Sequence, residues 1–343
     1  MPQTRTINRD RCLDIMKGIG ILLVVFAHVF HDSGIIYQFH MPLFFILSGA
    51  AMTYSKSSFS LKKKAKTLLV PYFVFSLICF GYWALVESKF RPMHDVAIFG
   101  DGIDLNVKLQ QFVNIFAAIN CKSGFVYNIV LWFLPCLFMA ELVYSKIKGR
   151  KVEWAIDIAC IVICYLAVSG SNGWLWCLGE AVVAVPLLSI GYRYYQPLMT
   201  VLKKNSAYTL TVGGISILIF ILLFMLLNPH TDMAHNMIPN VFYLMAILGS
   251  LSVIVLSFVM DRFAIRGGQC LAYLGRNSLI IMCVHEPLKR IILMVLSKVV
   301  SMPTDIIRDN IVLSIVATLI VVAACVPIIV IINRKFSWTI GKF

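Results

Sequence analysis

Residues 11–28 read RCLDIMKGIGILLVVFAH, an apolar run with an aspartate at 14, a lysine at 17 and a histidine at 28. On an α-helix, eleven steps of about 100° bring His28 back to within about 20° of Lys17 and raise it about 16 Å. Both side chains then leave one face of the same helix, three turns apart, and Asp14 extends the stripe by a turn. Ionisable groups are expensive in hydrocarbon, so this stripe predicts a face turned to protein or to a polar cavity within a membrane bundle. A lone Lys17 would be read as snorkelling to the headgroups. Asp14 and His28 on the same face argue against that.

The composition outside this run agrees. Of 343 residues, 60% are hydrophobic and 13% charged, which excludes an ordinary soluble domain. The net charge of +14 would suggest nucleic acid in a soluble chain. Here it reads as membrane topology, and no nucleic-acid partner is expected. The ten cysteines are scattered, mostly through apolar stretches, without paired metal-ligand spacing, so neither a disulfide framework nor a metal site is expected.

Ten segments approach spanning length: 15–31, 35–54, 67–86, 126–145, 154–169, 174–194, 209–227, 239–260, 278–299 and 311–333. Sorting loop Lys and Arg by side puts twenty-one on the side of the N-terminus, among them Arg5, Arg9, Lys56 and Lys62 to Lys64. The other side has five: Lys89, Arg91, Lys108, Lys122 and Arg308. The expected fold is therefore an all-α integral membrane protein, a bundle of about ten transmembrane helices with both termini cytoplasmic. It reads as one transmembrane domain over 1–343, with no signal-peptide cleavage pattern, internal repeat or separate soluble domain. The longest loop, about 87–125, contains KLQQFVNIFAAIN (108–120), which predicts an amphipathic helix on the outer surface or over a site.

Depth sorts the polar residues. His28 and His40 lie near the outer ends of the first two segments, and Glu180 sits about two turns inside the sixth. His285 is deeper in the ninth, and Asn128 and Trp132 open the fourth. Together they predict a pocket in the outer half of the membrane, although any one alone reads equally as a helix-to-helix hydrogen bond. At the inner side, SLKKKAKTLLVPY (60–72) concentrates lysines, with Lys63 and Lys66 one turn apart. Such a cluster suits phosphates, or simply anchors the chain to anionic lipid.

In order along the chain stand RCLDIMKGIGILLVVFAH, FHMPLFFILSG (39–49), KKKAKTLLVPY, NIVLWFLPCLF (128–138), IGY (190–192) and LGRNSLIIMCVH (274–285). This series resembles the acyltransferase 3 family of bacterial multi-pass membrane enzymes over nearly the whole chain. The resemblance implies transfer of an acyl group, commonly acetyl, from acyl-CoA to a saccharide hydroxyl of the cell envelope, in the bacterial inner membrane. It matches the family's basic residue, ten intervening residues and histidine with Lys17 and His28, and its second basic pair with Lys63 and Lys66. The family commonly has Arg at these basic positions, and lysine removes the bidentate fork.

The implied layout places the phosphates of acyl-CoA (acetyl-CoA in the commonest case) near Lys17, Lys63 and Lys66, with the thioester near His28. His28 then acts either as general base or as acyl carrier. His40, Glu180, Asn128, Trp132 and His285 are the candidates for holding the acceptor, and Asp14 for orienting Lys17 or Arg11. The competing class is a secondary transporter of a sugar-lipid or organic anion. A membrane structural or sensory subunit would need no Lys-to-His stripe.

Overall fold

The computed structural model describes residues 10–54, 60–90, 103–121, 124–204 and 206–342. Arg5, Arg9, Lys56, Arg91 and Lys122, used above to assign sides, lie outside the described residues. Every element among the described residues is helical, apart from one isolated β-bridge between Asp232 and Met237. Among the described residues, eight helices are long and apolar enough to cross a membrane: Arg11–Val29, Gly34–Thr53, Leu61–Phe90, Ile129–Ile147, Leu175–Lys204, Tyr208–Leu227, Phe242–Arg262 and Ile311–Lys335.

The other two of the ten expected segments are also helical but differ for physical reasons. Segment 154–169 forms a helix over Glu153–Ile163 that continues as a π-helical turn, Cys164–Val168, and is short. Segment 278–299 lies within the helix Ser278–Val300, which is long enough but carries Glu286, Lys289, Arg290 and Lys298. We number the helices used below in chain order: α1 (Arg11–Val29), α2 (His40–Thr53), α3 (Val70–Leu85), α4 (Leu105–Ala117), α5 (Leu178–Lys204), α6 (Gly267–Arg276), α7 (Ser278–Val300) and α8 (Ile311–Lys335).

Helix α1 begins where the Asp10 carboxylate accepts from the Leu13 amide at 3.2 Å, satisfying a donor the first turn cannot pair internally. It runs through the bundle against α2, α6, α7, α8 and Phe242–Arg262. Glycine permits the closest of these approaches. A Cβ at Gly18 would collide with the Leu271 carbonyl, and one at Gly275 with the carbonyl of Asp14. Helices α1 and α6 therefore meet backbone to backbone, as small-residue crossings do in membranes. Gly49 and Gly191 do the same for α2 and α5.

The amphipathic surface helix exists as α4. Asp104 caps it by accepting from the Val107 amide at 2.8 Å. Gln111 and Ile115 turn inward, while Leu105, Leu109, Val113 and Phe116 stay exposed on the other side. The Tyr72 hydroxyl donates to the Ile115 carbonyl at 2.7 Å and ties α4 to α3. Residues 91–102 and 122–123 of the same loop lie outside the described residues.

Candidate active site

The stripe on α1 joins two polar regions at opposite ends of the bundle. At the lysine-rich end, Lys17 shares a cleft of about 410 Å³ with Lys63, Lys64, Lys148, Ser48 and Glu141. The Lys64 ammonium pairs with the buried Glu141 carboxylate at 2.7 and 2.8 Å. Lys148 lies 5.6 Å above the Tyr192 ring. One glutamate faces four lysines, so the lining presents excess positive charge to anything that enters.

Three turns along α1, His28 sits one residue before the helix ends. Arg308 donates to the Val29 carbonyl at 2.9 Å and to the His28 carbonyl at 3.4 Å, closing a helix end whose carbonyls have no partner within the helix. The imidazole Nδ1 stands 3.9 Å from Glu286 Oε2, outside hydrogen-bond length but within ion-pair range. Glu286 is 3% exposed. Its Oε1 accepts from Lys289 at 2.8 Å and from Arg290 at 3.3 Å, and its Oε2 has no hydrogen-bond donor among the described residues.

Arg290 is held in turn by Glu87 at 3.0 Å and by the Val126 carbonyl at 2.7 Å. The His285 ring centroid is 5.5 Å from that of His28. Tyr37 lies edge-on to His28 at 6.4 Å and to His40 at 5.0 Å. A carboxylate 3.9 Å from Nδ1 and held by two cations stands where it can offset positive charge on the imidazole.

The family model described as an acyltransferase domain, acyltransferase type 3, matches residues 10–334. The chain belongs to the acyltransferase 3 family. No curated protein and no solved structure matches it. The match supports an acyltransferase over the transporter alternative. Among the described residues of this acyltransferase, no cluster of His, Cys, Asp or Glu is arranged to hold a metal ion.

The remaining candidates in this acyltransferase divide by position. His40 and His285 stand around His28, with Nδ1 of His40 2.9 Å from the Ile36 carbonyl in the short helix before α2 and Nδ1 of His285 2.9 Å from the Ile281 carbonyl of its own helix. Asn128 donates to the Cys283 carbonyl at 2.8 Å. Pro287 lies four residues beyond Cys283 and has no N–H to offer that carbonyl, so Asn128 fills a gap that proline opens in α7. Trp132 is buried edge-on against Phe133 at 6.3 Å, in a cluster with Phe44 and Phe45.

Glu180 is fully buried in the first turn of α5, but its polar neighbours are Asn120, Asn236 and His235. The ionisable groups nearest in effect to His28 are Glu286, Lys289, His285 and His40. Glu180 thus marks a second polar centre beneath the 228–241 loop. That loop is pinned where Gln38 donates to the Pro229 carbonyl at 2.8 Å and where Ser169 donates to the Ile238 carbonyl at 3.1 Å.

At the other end Asp14 lies 3.8 Å from Arg276, and Arg11 lies 3.3 Å from Asp261. Lys66 lines a different groove from Lys63. Sequence reasoning passed over Glu286, Lys289 and Arg290 and took Arg308 only as a loop cation. The signal was available in HEPLKR (285–290), where four of six residues are ionisable inside an otherwise apolar segment.

Proposed function

We propose that this acyltransferase moves an acyl group, acetyl as the simplest case, from cytoplasmic acyl-CoA to a saccharide hydroxyl of the cell envelope. The observation that carries the reading is one helix linking a lysine-lined cleft to a histidine paired with a buried carboxylate. The cleft suits the CoA phosphates, which lysines attract as point charges. The separation of about 16 Å along α1 is of the order of an extended pantetheine arm. Both termini lie in the cytoplasm in this arrangement, and the lysine-rich end faces it.

His28 serves as general base. Its Nε2 takes the proton of the acceptor hydroxyl as that oxygen attacks the thioester carbonyl. The C–O bond forms, the C–S bond breaks, and the imidazolium returns the proton to the departing CoA thiolate. Glu286 steadies the imidazolium charge through Nδ1, and Lys289 and Arg290 hold Glu286 in place. Tyr37, His40 and His285 surround His28 and are the side chains an acceptor hydroxyl would meet there. Glu180, beneath the 228–241 loop, binds more distant hydroxyls of the same acceptor.

Charge dictates sidedness. The nucleotide of CoA carries several negative charges and cannot follow the thioester into the bilayer. In sealed vesicles of known orientation, acyl-CoA should be used only from the lysine-rich face, and a membrane-impermeant acceptor acylated only from the other. Efficient transfer with both substrates on the lysine-rich face overturns this arrangement.

A further inference from the structure

The lysine run is split between two surfaces. Ser60 starts its helix by accepting from the Lys63 amide at 3.3 Å, and from Ala65 to Leu69 the turn widens to π geometry. Lys63, Lys64, Thr67 and Leu68 face the inner cleft. Lys62 and Lys66, four residues apart and so on one face, line a separate groove of about 420 Å³ with Leu69, Val70, Phe73 and Val74.

The lining of this groove is almost wholly apolar, with Lys62 and Lys66 lending it their methylene stems near the lysine-rich end. From Lys62 to Val74 the helix rises about 18 Å, all of it past the lysines without a polar side chain in the lining. It opens on a span of which only 33% is buried, with Leu77, Ile78 and Leu85 exposed farther along. A nucleotide or a pantetheine arm is a poor fit, because its amides would lie unpaired against apolar walls. An anionic phospholipid matches both parts: its phosphate meets two lysines at headgroup level and one acyl chain lies along Leu69 to Val74.

We propose that Lys62 and Lys66 with this groove form a binding site for one anionic phospholipid, distinct from the cleft of Lys17, Lys63 and Lys64. The site does not depend on the acyl-transfer reading, and its test reads binding alone. The full chain in mild detergent is titrated with phosphatidylglycerol or with phosphatidylcholine of the same acyl chains, and the retained lipid is counted by native mass spectrometry. One phosphatidylglycerol should be held in preference to phosphatidylcholine. The double substitution K62Q/K66Q should weaken that binding by on the order of tenfold, whereas K63Q/K64Q should leave it within about twofold.

Val74→Trp, which narrows the groove with every lysine in place, should also lower retention, and Val70→Trp repeats the test nearer the lysines. A thermal melt of each variant checks that it is folded. Phosphatidylglycerol binding unchanged in K62Q/K66Q, or weakened equally in K63Q/K64Q, overturns the site in favour of diffuse attraction to the lysine-rich end. Competition by glycerol phosphate without acyl chains also overturns it, because the groove would then contribute nothing.

Discussion

The two ends of α1 use buried charge in opposite ways. Around His28, Glu286 and Glu87 are set against Lys289 and Arg290 at 2.8 to 3.3 Å, so the network largely neutralises itself. Around Lys17, four lysines line the cleft with one glutamate. A balanced network holds a side chain still; one with excess positive charge attracts an anion. On the proposed reading, the contrast fits orientation at the His28 end and recruitment of an anion at the Lys17 end. Substitutions should therefore separate cleanly, with rate lost at one end and donor affinity at the other.

The largest expected effect is at His28. His28→Ala should lower acyl transfer by about 10²–10⁴-fold, the usual contribution of a general base, with insertion and expression retained. Activity within about tenfold of the parent protein would move the role to His285 or His40. Next comes Glu286→Gln, which removes the carboxylate beside Nδ1 and leaves Lys289 and Arg290 without their shared counter-charge. Steady-state kinetics should show kcat lowered by about 10–100-fold, from loss of electrostatic support to the imidazolium, and KM for acyl-CoA little changed. An effect on KM alone would place Glu286 in donor binding and erase the contrast between the ends.

Smaller and of a different kind, Lys63→Gln combined with Lys64→Gln should raise KM for acyl-CoA about tenfold with kcat nearly intact, as loss of a uniform binding contact does. The same assay should give Lys66→Gln a lesser effect, because its side chain lines the other groove. An equal rise in KM for Lys66→Gln would rejoin the two lysine sets. The mildest change is Asn128→Ala. It unpairs the Cys283 carbonyl and should cost about 1–3 kcal/mol of stability. A thermal melt should fall by a few degrees while KM for acyl-CoA stays put.

Much of this was legible in the sequence wherever the signal was local. The stripe from Asp14 to His28 needs only the helical period, and the apolar runs needed only length. What escaped depended on contacts across the chain. HEPLKR lies inside a spanning segment, so its cations entered no loop count, and the carboxylate that holds Arg290 comes from Glu87, 203 positions earlier. Glu180 shares the depth of His28, yet depth does not fix direction around a helix axis, and its neighbours proved to be Asn120 and Asn236. Lys63 and Lys66, three residues apart, differ by about 60° around a helix axis, and they line different surfaces on either side of the point where the π turn begins at Ala65.

The backbone contact at Gly18 has a consequence for which acyl groups can be handled. A helix seated directly on its neighbour's carbonyls at Gly18 and Gly275 has no soft side chains between them to let it slide. The helix itself fixes Lys17 and His28 about 16 Å apart, and on the proposed reading α1 is a ruler with these two marks, seated in the bundle at Gly18 and Gly275. A donor anchored at the first mark delivers its carbonyl to the second whatever the length of its acyl tail. On that reading, chain-length preference is set by the side chains packed around His28, Tyr37, His40 and His285 among them, and trimming them should admit longer acyl groups without altering how CoA itself is held.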